Sequence, residues 1–357
     1  MNHKSPMVTV MMPVYNGMTY LSEAIESILN QTFTDFEFLI IDDASTDNST
    51  DIIKGYGDNR IRLIENSKNF GQAKSMNKGL SLARGKYIAR MDQDDVSASK
   101  RLDKQTKILE HSPQLGLVST NCYLIDGTGE VYGRLNDNLM LGQTLSGGQV
   151  EWNLFWGNPI VHPSVMFRTK LVRNLSGYAE NYTYHVEDYI LWLRLLKKAR
   201  IVILGEPLFY LRKHDLNATL VNFEPHIKEV VHATQKILSF RLGYEPSLES
   251  LRFLMDLSHG DRLSFKNTIK SLNILIDAYK YLVRKYQLDK NELYNIEKDF
   301  VSRFSRLIKL NVPYGRQLVA MFVGYLLFLF PLNMLNRFDR VAMLKLIFTT
   351  RFHYRDS

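Results

Sequence analysis

Tyr87-Ile88-Ala89-Arg90-Met91-Asp92-Gln93-Asp94-Asp95 begins as a short β-rich apolar run and ends in three carboxylates. A strand over Tyr87 to Met91 that delivers acids at its end gains meaning from what precedes it. Val8 to Val14, Phe36 to Ile41 and Ile61 to Glu65 are runs of the same kind and strand length. Between them Tyr20 to Leu29 sets Leu21, Ala24, Ile25 and Ile28 at helical spacing, and Ala73 to Ala83 does the same with Met76, Leu80 and Ala83. Strand and helix in alternation predict right-handed βαβ crossovers and a parallel sheet. Ligands of such sheets bind beyond the carboxyl ends of the strands. Those ends carry Pro13-Val14-Tyr15-Asn16, then Asp42-Asp43, then Asp92, Asp94 and Asp95, so five carboxylates and an aromatic reach one edge.

Other nucleotide-binding sheets are excluded by their missing signatures. No G-x-G-x-x-G follows a strand, and Gly79 to Gly85 with Lys86 and Tyr87 lacks the spacing and the hydroxyl residue of a P-loop. Two acids at i and i+2 on a turn after a strand reach one divalent ion and the ribose of the same nucleotide. Oxygen ligands suit Mg²⁺ or Mn²⁺, which keep several waters and take diphosphate oxygens. The plain alternative for Asp92 to Asp95 is a solvated turn, and Asp42-Asp43 at a neighbouring strand end argues against it.

Past residue 100 the alternation loosens into a polar stretch, Asp126 to Gln149, a strand-like Pro163 to Phe167 and a helix-like Glu187 to Lys198. The expected domains are residues 1–215, with a nucleotide half over about 1–100 and an acceptor half over 101–215, and a helical region over 216–357. At 357 residues, with 45% hydrophobic and 23% charged residues, the chain has ample core for two domains. Lys plus Arg and Asp plus Glu balance at 24 each through residue 215, leaving 21 basic and 13 acidic residues beyond it. The single cysteine, Cys122, rules out an internal disulfide and reads as a buried small hydrophobe.

The motifs together resemble glycosyltransferase family 2. The residues that carry the likeness are Val10-Met11-Met12-Pro13-Val14-Tyr15-Asn16-Gly17, Ile40-Ile41-Asp42-Asp43-Ala44-Ser45-Thr46-Asp47, Asn69-Phe70-Gly71 through Asn77-Lys78-Gly79, and Gly85-Lys86-Tyr87-Ile88. Asp92 to Asp95, Arg101-Leu102 and Glu187-Asp188-Tyr189-Ile190-Leu191-Trp192-Leu193-Arg194 complete it, over roughly residues 8–214. The resemblance implies an α/β GT-A fold, a Rossmann-like mostly parallel sheet with helices on both faces, followed here by a helical C-terminal region. It implies an inverting, metal-dependent transfer of sugar from a UDP-sugar to an acceptor hydroxyl, with a saccharide or lipid-linked saccharide of polysaccharide synthesis as acceptor. The rival reading is an inactive relative that serves as a membrane-bound binding partner.

By the same likeness Pro13, Val14 and Tyr15 line the nucleobase pocket, and Asp43, with Asp42 less securely, accepts from the uracil ring. Asp92 faces ribose or metal, Asp94 the metal and diphosphate, and Asp95 the sugar or the loop that holds it. Asp188 is the general base and Glu187 a sugar-binding neighbour. An inverting transfer needs one base to take the acceptor proton as its oxygen attacks opposite the diphosphate, and a carboxylate at a helix start is fixed in place. His214 is expected near the metal or diphosphate and His162 on the acceptor side, with His185 a third candidate. Trp152 and Trp156 read as core before sugar-stacking residues.

Residues 300–357 hold nine basic residues against Asp339 and Asp356. Phe300, Phe304, Leu307 and Ile308 share one helical face, which beside that charge predicts a helix lying in lipid headgroups. Leu318 to Phe330 carries no charge over thirteen residues, short of the roughly 20 a spanning helix needs. The expectation is a cytoplasmic protein held peripherally on an anionic membrane surface at the inner face, with no nucleic-acid partner since no such motif accompanies the charge.

Overall fold

A computed structural model describes residues 5–135, 143–182, 186–214, 223–256 and 263–310. The chain divides into two compact units, Met1–Ala233 and Thr234–Ser357.

The first unit is built on a ten-stranded sheet. Its strands are β1 (Val8–Val14), β2 (Phe36–Asp42), β3 (Ile61–Glu65), β4 (Tyr87–Arg90), β5 (Val96–Ser97), β6 (Leu115–Ile125), β7 (Val131–Arg134), β8 (Leu145–Ser146), β9 (Met166–Arg168) and β10 (Arg200–Arg212). They run in the order β3-β2-β1-β4-β9-β6-β10-β5, with β7 added on β6 and β8 on β10. The expected parallel nucleus is β3-β2-β1-β4. Its register pairs Val14 with Asp42 and Asp42 with Glu65, so the carboxyl ends lie level. After β1 the chain moves outward to β2 and β3, then returns to the other side of β1 as β4. Strand order reverses between β1 and β4, and the two following loops part there to leave a crevice. β9 runs antiparallel to both β4 and β6, and β10 runs parallel to β6. Short β9 thereby joins the parallel nucleus to a second half in which antiparallel pairing is common.

The period-two pattern of β1 explains the layers. Val8, Val10, Met12 and Val14 share a buried cluster with Leu21, Ala24, Ile25 and Ile28 of the helix Leu21–Leu29. Each such aliphatic contributes roughly 1.5–3 kcal/mol on full burial. Met11 points the other way, onto the helix Gln72–Leu82: a Cβ at Gly79 would stand 2.6 Å from the Met11 Sδ. Helices therefore cover both faces, as the alternating sequence requires. Trp152 and Trp156 are buried and meet edge to face at 5.3 Å, which settles them as core. Cys122 is buried too, and that burial pushes its thiol up to about 12, so it is inert at neutral pH.

The second unit is helical over its described residues, with helices Leu248–Leu254, Phe265–Lys285 and Lys290–Leu310. Phe300, Phe304 and Leu307 are buried, Phe300 against Tyr279 at 5.5 Å. This corrects the expectation of a headgroup-facing helix there: helical spacing marks an apolar face without saying what covers it, and here it packs inward. Among the described residues no helix is long and apolar enough to cross a membrane. Leu318 to Phe330, the rest of 311–357, and His185 lie outside the described residues.

Candidate active site

The crevice at the β1/β4 reversal is a cleft of about 600 Å³. Of the residues singled out in the sequence, Pro13, Val14, Tyr15, Asp43, Asp92, Asp94, Asp95, Asp188, His162 and His214 line it, and Glu187 joins them. Asp42 does not line it: it is buried and accepts from the Ser45 backbone N–H at 3.2 Å, bracing the turn after β2.

Beyond β1 the chain turns sharply at Asn16, whose φ of 49° lies in the left-handed region. The Asn16 Oδ1 accepts from the Thr46 N–H at 2.8 Å, tying this turn to the one after β2. Gln93 holds the same turn from the other side. Its Oε1 accepts from the Tyr15 N–H at 2.8 Å and its Nε2 donates to the Tyr15 carbonyl at 3.1 Å, a two-point clasp resembling a strand pair. A Cβ at Gly17 would stand 2.5 Å from the Gln93 Oε1, so a larger residue there would push Gln93 out of the clasp. The clasp fixes the backbone of Tyr15 while its side chain stays 44% exposed at the cleft. Asp43 accepts three hydrogen bonds, from Asn66 Nδ2 at 2.6 Å, the Phe70 N–H at 3.0 Å and the Gly71 N–H at 2.8 Å. It holds the Asn66 to Gly71 loop and keeps lone pairs for a ligand.

Asp92, Asp94 and Asp95 each place a carboxylate oxygen within 4.8 Å of the others. Burial, then the charges of Asp94 and Asp92, push the Asp95 carboxyl well above the ordinary range. Its Oδ1 accepts from the Arg212 N–H at 2.8 Å, while its buried Oδ2 has no partner in the protein. Burial also raises Asp92, against the opposing pull of Arg90. Arg90 is fully buried at the end of β4 and forms an ion pair with Asp92. His214 sets its Nε2 2.9 Å from the Asp94 Oδ2. Three mutually repelling carboxylates, one with an orphaned buried oxygen and one beside an imidazole, fit a hard divalent cation such as Mg²⁺ or Mn²⁺.

Arg212 closes this side. Its Nε donates to the Asp94 carbonyl at 2.8 Å and its Nη1 to the Asp126 carbonyl at 3.0 Å, while Nη2 pairs with Glu23. Its guanidinium lies 4.5 Å over the Tyr20 ring.

Asp188, which lines the same cleft, sits in the first turn of the helix Glu187–Leu195. Burial first, and then Glu187, raise its carboxyl to about 7. Its Oδ1 accepts from the Tyr189 N–H at 2.6 Å and its Oδ2 from Asn158 Nδ2 at 2.9 Å. His162 Nδ1 lies 4.0 Å from the same Oδ2, and its Nε2 is 3.3 Å from the Tyr178 hydroxyl. A carboxyl that titrates near neutrality is suited to taking a proton.

Sequence reasoning missed Arg90, Gln93, Asn158 and Arg212. Arg90 had a signal, a charge inside an otherwise apolar strand, and Gln93 had its place within D-x-D. Asn158 and Arg212 had none, because their roles depend on which distant segments meet.

Residues 9–171 match the family described as Glycosyl transferase family 2. The chain is 36% identical over 216 residues to the putative glycosyltransferase EpsE of Bacillus subtilis, covering 59% of this chain and 74% of EpsE. It is 28% identical over 195 residues to the UDP-Glc:alpha-D-GlcNAc-diphosphoundecaprenol beta-1,3-glucosyltransferase WfgD of Escherichia coli, covering 55% and 72%. Against an uncharacterized glycosyltransferase of Methanocaldococcus jannaschii, also 36% identical, the match spans 65% of that protein's length, just under two thirds. In structure the chain resembles S. aureus TarS 1–349 with a TM-score of 0.54 at 16% identity, over 87% of this chain and 91% of that one, a likeness of fold.

Proposed function

This chain belongs to glycosyltransferase family 2, and from that premise we propose that it is a UDP-sugar:acceptor transferase that inverts the anomeric carbon and uses Mn²⁺ or Mg²⁺. The observation that carries the reading is the pairing, across one cleft, of the Asp92-Asp94-Asp95 cluster with a separate carboxylate that titrates near 7.

Asp94 and Asp92, with His214 beside Asp94, hold the metal, and Asp95 orders the sugar or the loop behind it. When bound, the divalent ion offsets the charge that develops on the departing nucleoside diphosphate. Pro13, Val14 and the clasped Tyr15 receive the nucleobase, Tyr15 by stacking, and Asp43 accepts from it. Asp188 removes the acceptor proton as the acceptor oxygen attacks from the face opposite the diphosphate. Its raised carboxyl suits both halves of that task, since it is ionised above neutrality and holds a proton readily once it has one.

WfgD is named for a UDP-glucose donor and a diphosphoundecaprenol-linked acceptor. That supports a uridine donor and a lipid-linked saccharide acceptor here. The basic excess of residues 216–357 supports a peripheral position on the anionic inner face of the cell membrane, in the cytoplasm, with that region as the membrane-associating part and residues 1–215 as the catalytic one. The test is UDP release by the purified full chain from a panel of nucleotide sugars, with lipid extract as acceptor, in Mn²⁺ and in excess chelator. Metal-dependent turnover of a UDP-sugar is expected. Release that persists in chelator, or turnover confined to a non-uridine donor, would overturn the corresponding part.

A further inference from the structure

We propose that Asn158 is a positioning residue for the transfer, one that holds the Asp188 carboxylate ionised and in a single orientation; this rests on the reading of Asp188 as the base. A carboxylate rotates about its last bond, and a base that rotates is aimed only part of the time. Here both oxygens are engaged, Oδ1 by the Tyr189 N–H at 2.6 Å and Oδ2 by the Asn158 amide at 2.9 Å. One lone pair on each oxygen then points in a fixed direction, which positions the proton acceptor before the substrate arrives.

Asn158 is itself locked. Its Oδ1 accepts from the Ile160 N–H at 3.2 Å, so flipping the amide would lose that bond and turn a carbonyl oxygen toward the carboxylate. The turn thus dictates that the nitrogen, a donor, faces Asp188. A donor favours the charged form, and against burial and Glu187 the Tyr189 N–H, and after it the Asn158 amide, pull the carboxyl back toward ionisation. The other titratable or charged groups around Asp188 are Glu187 on its own helix, Arg90 at the end of β4, His162 at the start of the short helix His162–Ser164, and the Tyr178 hydroxyl beside His162, with Asp92 next to Arg90 and acting on Glu187 and Tyr178. Asn158 is exposed, so changing it leaves the core intact.

The test compares kcat/KM against pH for the full-length wild type, Asn158→Ala, Asn158→Asp and Asp188→Asn, with UDP binding and melting temperature in parallel. In Asn158→Ala the acidic limb should move up by about one pH unit, so transfer at pH 6.5 falls roughly tenfold and the loss narrows as pH rises. Asn158→Asp should move it further, since a second carboxylate replaces the donor. UDP affinity should hold, and melting temperature should hold at pH 5, where Asp188 is protonated, and fall below the wild type as pH rises past 7. A limb at the wild-type position in both variants, or a loss that is independent of pH, overturns the inference. If Asp188→Asn transfers at the wild-type rate, the base assignment itself has failed. If Asp188→Asn is inactive while both Asn158 variants keep the wild-type limb, only the role of Asn158 falls.

Discussion

Asp95 and Asp188 line one cleft, both buried and both raised above the ordinary carboxylate range, yet their surroundings ask for different things. Around Asp95 the neighbours are Asp92 and Asp94, and one buried oxygen has no partner. That arrangement is relieved by a cation. Around Asp188 the burial is partly answered by two N–H donors and, after them, by the charge of Arg90. That arrangement is relieved by a proton. On the proposed reading, two identical side chains are given separate chemistries by what lies around each.

The largest effect that would break this contrast comes from the cation side. Asp94→Ala, or chelation of the wild type, should lower transfer by roughly 10³-fold or more, because the diphosphate would leave with its charge uncompensated. Mn²⁺ or Mg²⁺ should restore the chelated wild type and leave Asp94→Ala inactive. Steady-state UDP release measures both, and full turnover in excess chelator would reduce the acidic cluster to a structural turn.

Next is the proton side. Asp188→Asn should lower transfer by about 10²-fold or more while UDP affinity, followed by calorimetry, stays at the wild-type value. A matching fall in UDP affinity would place Asp188 with the donor and erase the division between the two sides.

The contrast sharpens in pH. With the folded carboxyl of Asp188 near 7 and the unfolded one about 3.9, the folded chain keeps its proton over a window where the unfolded chain has lost it. Its contribution to stability is therefore full below about pH 4 and is lost as pH rises toward 7, while the base form that supports turnover grows over the same range. Activity should rise through pH 7 as melting temperature falls. Asp188→Asn, which cannot ionise, should flatten that slope and be more stable at pH 8, by at most a few kcal/mol. Equal melting curves for the two proteins from pH 5 to 8 would mean the carboxyl titrates normally.

The smallest expected effect tests the clasp rather than the acids. Gln93→Ala removes two hydrogen bonds to the Tyr15 backbone, so UDP affinity should drop about three- to tenfold with the pH dependence of transfer unchanged. A shift of the acidic limb in this variant would show that the two sides are coupled more tightly than the geometry implies.

What the sequence made legible follows from distance along the chain. The four strands of the nucleus and two of its helices were readable from local periodicity, and the crossover rule then brings Tyr15, Asp43 and Asp92 to one edge; the strand order and the short helix Ser49–Gly55 were not. Asp42 shows the limit: alternation says it belongs to a strand end, but only the structure shows it buried, outside the cleft lining, with one oxygen accepting from the Ser45 N–H. The second half of the sheet was poorly readable since strands as short as Val96–Ser97 and Leu145–Ser146 carry no periodicity at all. Phe300, Phe304 and Leu307 were read as one face correctly and given the wrong neighbour, because hydropathy does not distinguish a protein interior from a bilayer.

Arg212 follows Asp95 by 117 residues, and its backbone N–H and guanidinium complete the acidic side. On a ribosome adding roughly 5–20 residues per second, that interval is on the order of 6–23 s. During it the nascent chain holds every acid of the D-x-D motif without the strand that caps them, so the catalytic centre is finished by nearly the last stretch of its own unit to be synthesised. A chain terminated after Arg194 and before Arg212 would carry every motif of the family likeness without the residue that closes its acidic side.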